Sequence, residues 1–164
     1  MSQKFTVTFE KLPENVPELK ALPEASLEEP HFAAALFVAA VAHYPKDKDA
    51  SLEMINYLKG PAPLSEYEKQ FIRDRFMDAD YVPRSYFEGS SPENKYTPNV
   101  PYTITFEDNP YSYDNEGYVK LFAKSSGADS PRQVTVRKQG STGKYFLWEQ
   151  MLLGGIRPID DPWA

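Results

Sequence analysis

The chain has no cysteine, which removes disulfides, thiolate chemistry and Cys-ligated zinc or iron–sulfur centres. Histidine is scarce too, with only His31 and His43. On one helix, residues twelve apart point about 120° away from each other, so these two do not share a metal ion. Long hydrophobic runs are missing. The best, residues 32–42, falls well short of the roughly 20 apolar residues that span a bilayer, and residues 1–6 form no apolar signal core. A soluble, cytoplasmic protein with no membrane partner is expected. Cations are outnumbered, 18 Lys and Arg against 24 Asp and Glu, for a net charge of -6. A nucleic-acid backbone binder needs clustered surplus cations, so no nucleic-acid partner is expected. Nor is a P-loop, an H-E-x-x-H or a G-x-S-x-G present, and no cofactor or metal is expected.

What is there is enough to fold. Hydrophobic residues make up 41% and aromatics 14% of 164 residues, more than a disordered chain carries. One domain over residues 1–164 is expected, with no repeat or low-complexity tract. Phe5, Val7 and Phe9 alternate with Thr6, Thr8 and Glu10 as a strand with one buried face. Residues 11–30 hold Pro13, Pro17, Pro23 and Pro30 and read as an extended connector without regular structure. Residues 31–44 are apolar nearly all round, which predicts a buried central helix. A second helix is predicted over residues 49–59, where Leu52, Ile55 and Leu58 recur before Gly60-Pro61. A third starts at Ser65, with Glu68 three residues on as a capping box. Glu68 and Arg75 fall within that helix's apolar arc, which predicts a partly buried salt bridge between them.

Residues 80–118 lack helical periodicity but are rich in Tyr and Pro, and only residues 102–107 alternate as a strand. From residue 118 a meander is predicted, with strands at 118–124, 132–139 and 144–150 joined by short polar turns. The fold expected is α+β: three N-terminal helices packed on an antiparallel sheet whose meander pairs with residues 102–107 and, as an option, 5–9, with closure toward a barrel left open by the sequence.

Function is less legible. Asp108, Asn109, Asp114, Asn115 and Glu116 are acidic or amide-bearing, yet they do not match an EF-hand and read as a solvated loop. Residues 125–130 suggest a phosphate cradle, but no helix follows to receive an anion, so a hairpin turn explains them. The strand alternation is more telling. Val119, Leu121 and Ala123 face one way and Lys120, Phe122 and Lys124 the other, while Arg137 joins the second face from the next strand. This part of the chain is locally basic, with seven cations to four acids over residues 118–164.

The first expectation is therefore a non-enzymatic binding or interaction module. Lys120, Phe122, Lys124 and Arg137 form a basic face for an acidic partner or small anion, and a protein partner or self-association is open. A second is a hydrolase or other acid–base enzyme using Glu88 or Glu68 in a helix–sheet cleft, which requires a buried carboxylate with a raised pKa. A third is carbohydrate or small-ligand binding on Tyr111, Tyr113 and Trp148, which requires rings that face solvent.

Several stretches carry a resemblance: Gly60-Pro61 with Leu64-Ser65, residues 81–89, Asn109-Pro110-Tyr111-Ser112-Tyr113, residues 124–132, and Asp161-Pro162-Trp163. Together, from about residue 30 onward, they resemble a family of short bacterial proteins known as a domain of unknown function. The resemblance implies a bacterial cytoplasmic origin and brings no catalytic residue.

Overall fold

A helix with no polar side has to be surrounded, and α2 (Pro30–Val41) is: every residue from Ala33 to Val41 is buried. In the computed structural model, which describes residues 2–77 and 79–159, this helix lies at the centre. The Asp161-Pro162-Trp163 motif lies outside the described residues. Pro30 enters α2 in its first turn, where its missing N–H costs nothing. The alanines of α2 let α3 (Lys48–Lys59) come close, and Ser51 of α3 donates to the Ala40 carbonyl at 2.9 Å. α4 (Glu66–Phe76) opens with the predicted capping box. Ser65 Oγ accepts the Glu68 N–H at 3.1 Å and Glu68 Oε1 accepts the Ser65 N–H at 3.0 Å. Of its residues only Ile72 is fully buried.

The connector is not devoid of structure. Val16–Lys20 forms a short helix, α1, making four α-helices among the described residues where three were expected. Asn15 caps it by accepting the Glu18 N–H at 3.0 Å, and Pro17 sits in the first turn, where proline favours a helix start.

Five strands form one antiparallel sheet in sequence order: β1 (Lys4–Phe9), β2 (Tyr102–Glu107), β3 (Tyr118–Ala123), β4 (Arg132–Lys138) and β5 (Tyr145–Gln150). The sheet stays open, which answers the question of closure that the sequence left undecided, with β1 and β5 at its edges. The β5 edge is occupied instead: the Tyr145 N–H donates to the Leu27 carbonyl at 2.8 Å, and the Trp148 carbonyl accepts from Lys59 Nζ at 3.2 Å. Val7, Ile104, Phe106, Leu121, Val136 and Leu147 form part of the buried inner side, with α2 against it. Lys120, Phe122 and Arg137 are on the other face, half-buried or exposed.

Pairing is uneven. β3 and β4 match from Tyr118↔Arg137 to Ala123↔Arg132, whereas β2 and β3 match only at Phe106↔Ala123 and Glu107↔Phe122. Past that point the strands part, and the turn Val82–Tyr86 with its continuation bonds to both sides. Ser126 N–H donates to the Ser85 carbonyl and Glu88 N–H to the Thr103 carbonyl, each at 2.9 Å. This wedge accounts for three of the segment's seven tyrosines. Tyr81, Tyr86 and Tyr96 are buried, with Tyr81 stacked on Tyr96 and the Tyr86 hydroxyl donating to the Leu152 carbonyl. No helix among the described residues is long and apolar enough to cross a membrane.

Candidate functional site

The site is built on the β4–β5 pair. Val136 opposes Leu147 but Thr135 opposes Glu149, so Trp148 is the extra residue of a β-bulge on β5. Bulges re-aim side chains. Here Leu147 points into the core, Trp148 is 37% exposed, and the added residue leaves Glu149 exposed as well.

Beside the bulge, Arg137 projects from β4. Its guanidinium carbon lies 4.8 Å from the Trp148 ring centroid and 5.3 Å from that of Tyr118. The two rings meet edge to face at 5.7 Å. Each cation–π contact contributes about 0.5–1 kcal/mol at an exposed position and orients the guanidinium. Among the described residues it makes no ion pair and no side-chain hydrogen bond, so its five N–H donors are open to an anion.

The bulge also leaves the Trp148 carbonyl in need of a donor, and Lys59 supplies it. The Lys59 side chain is only 6% exposed, and Nζ bonds Glu68 Oε2 at 2.8 Å as well as the Trp148 carbonyl. Burial pushes the Glu68 carboxyl up, but hydrogen bonds from Lys59 and Ser65 outweigh it and hold the group below its ordinary range. The inward salt bridge expected of α4 thus exists with a different partner. Arg75 is exposed and lies over Phe71, 4.8 Å from its ring centroid.

Lys59, Arg137 and Lys138 line a half-open cavity of about 320 Å³ together with Phe146, Trp148, Pro61 and neighbouring residues, with no acidic side chain among the described ones. Gly60 backs the Phe146 wall. Its φ is +60°, and a Cβ there would fall on the Phe146 ring. On the far side of Lys138, whose ammonium is 5.8 Å from the Tyr145 ring centroid, a shallower hollow of about 160 Å³ is lined by Tyr113, Tyr118 and Tyr145.

The expected basic face is therefore divided. Arg137 belongs to the cavity just described, while Phe122 and Lys124 line a separate cleft of about 480 Å³ where β2 and β3 part, among Thr105, Glu88 and a group of serines. Lys120, half-buried opposite Thr135, stands between them. Tyr113 borders the hollow, donates to Asp108 at 2.8 Å and is pushed up to about 12 by burial and by that carboxylate. Tyr111, 71% exposed, makes no ring contact with Tyr113 or Trp148.

Other candidates resolve structurally. Asp108 accepts the Gln3 N–H at 2.7 Å besides the Tyr113 hydroxyl, and among the described residues no cluster of three His, Asp or Glu is placed to hold a metal ion. Ser125 of the tempting turn donates to Ser85 Oγ at 2.7 Å. Glu88 is exposed at the cleft rim, not buried as the acid–base reading requires, and Glu68 is shifted downward, opposite to the raised carboxylate of that reading. His31 stacks on Phe5 at 4.8 Å, and burial holds it below its ordinary value despite nearby Glu29.

Lys59 was not singled out from sequence, although a signal exists: it follows Ile55 by four residues and so shares the buried face of α3. No curated protein matches this chain, and no solved structure does. A family model described as a domain of unknown function (DUF6935) matches residues 11–160, taking in most of the proline-rich connector as well, and the chain belongs to that family.

Proposed function

We propose that the protein is a binding module that takes an anionic ligand at the cationic–aromatic end of its sheet. One observation carries this reading: in a chain of net charge -6, Arg137 is stacked on two rings with its donors open, beside a cavity lined, among the described residues, by three cations and no acid. Such fixed cations attract an anion, and a stacked guanidinium needs little further ordering to bind it. With the family resemblance as its support, we also infer a bacterial, cytoplasmic protein.

The test is thermal unfolding with inorganic phosphate, acetate and benzoate at matched ionic strength. An anion at 100 times its dissociation constant adds about 2.7 kcal/mol. At least one of them is expected to raise the melting temperature of the native chain and of Lys124→Glu, and to do so much less for Arg137→Glu. If all three anions act no differently from chloride, the reading is wrong.

The polar cleft favours a second reading, a site for a neutral polyhydroxylated ligand such as a carbohydrate. Phe122 lies there among Thr6, Thr105 and the serines, a half-exposed ring beside hydroxyl groups. Phe122→Ala is expected to abolish sugar binding on this reading, measured by calorimetry, and Arg137→Ala to leave it intact.

A further inference from the structure

We propose that the ligand of the Arg137 cavity is a flat organic anion, a single aromatic ring bearing a carboxylate or phosphate group; this rests on the reading of that cavity as an anion site. Three properties of the cavity select this class. Its size, about 320 Å³, lies at the low end for small-molecule sites and suits one ring rather than a polymer.

The walls are chemically divided. Phe146, Trp148 and Pro61 present flat apolar surfaces, while the cations are Lys59, Arg137 and Lys138. A fully polar anion such as free phosphate would lose hydration against the apolar side without compensation, whereas a ring removes apolar area from water there. A neutral ring would leave Arg137 and Lys138 without a counter-charge, Lys59 alone having one in Glu68.

The third property is an unused donor. An ammonium has three N–H groups. Lys59 gives one to Glu68 and one to the Trp148 carbonyl, and among the described residues it has no other partner. A buried donor left over in a cavity wall draws an acceptor. The anionic group is thereby directed to Lys59 and the ring toward Phe146 and Trp148, with Arg137 and Lys138 completing the charge. The carboxylates of Glu68 and Glu149 do not oppose this. Glu68 is held by Lys59, and neither it nor Glu149 lines this cavity; both line the neighbouring one beneath α4, which Lys59 borders as well.

Trp148 makes the site its own reporter. Tryptophan fluorescence and calorimetry on the full chain compare benzoate and phenyl phosphate with acetate, inorganic phosphate and neutral benzyl alcohol. At least one ring-bearing anion is expected to bind about tenfold more tightly than its ring-free counterpart, with benzyl alcohol silent. Whichever of benzoate and phenyl phosphate binds better identifies the headgroup. Trp148→Phe should remove the fluorescence change, and Arg137→Ala and Lys138→Ala, both at exposed positions, should each weaken binding with circular dichroism unchanged. Lys59→Met probes the anchor, and the two exposed variants decide the matter if it does not fold. Equal affinity with and without the ring overturns the flat-anion assignment and leaves the anion site standing; no binding of any anion overturns both.

Discussion

Val136 and Arg137 are neighbours on β4 with opposite surroundings. Val136 is fully buried between Val119 and Leu147, while Arg137 stands exposed between Tyr118 and Trp148. The same division runs through β3, where Leu121 is buried and Lys120 and Phe122 are not. One side of the meander holds the molecule together and the other is chemically open. Stability and binding therefore separate residue by residue along a single strand.

That separation can be broken in a graded way. The largest effect is expected from Leu121→Ala, about 2–5 kcal/mol of lost stability in a denaturant titration, with Lys120→Ala beside it changing stability by no more than about 0.5 kcal/mol. Next comes Gly60→Ala, where the two properties meet. Its left-handed backbone and the Phe146 ring both resist a Cβ, so the variant should lose about 1–3 kcal/mol and bind benzoate more weakly as well.

Glu68 contributes through pH. Its folded-state pKa is depressed, so its stabilisation is complete above the ordinary value of 4.5 and is lost as pH falls through the lower folded value. Glu68→Gln should flatten that part of the stability–pH curve. The smallest effect on stability belongs to Arg137→Ala, within about 0.5 kcal/mol, although its effect on anion binding is the largest of the series. A loss of several kcal/mol in this variant would place Arg137 with the core.

Much of this architecture is legible in the sequence because it rests on local rules. The all-round apolarity of α2, the Ser65–Glu68 capping box and the period-2 strands each need only neighbouring residues to be recognised. The missed α1 shows the limit of reading proline as a breaker, since Pro17 occupies the one turn that tolerates it. Partners across elements are harder. The helical arc places Glu68 inward, but the cation that meets it comes from α3, and no periodicity within α4 names Lys59.

The candidate site depends on two such non-local features. Strand alternation puts Lys120, Phe122, Lys124 and Arg137 on one face, yet it carries no information about the parting of β2 from β3 or the bulge at Trp148, and these distribute the face between two cavities. The tyrosines show the same limit. Tyr96 is buried and Tyr111 is 71% exposed, though both lie in proline-rich stretches without a repeating pattern.

The most direct test of the central claim is a benzoate titration of the isotope-labelled chain followed by NMR. Saturable shifts are predicted at the Trp148 indole, the Gly140 amide and the Arg137 guanidinium, with Thr105 and Ser126 at the cleft unmoved. Saturable shifts centred on the cleft, or none anywhere, would contradict the assignment of anion binding to the Arg137 end of the sheet.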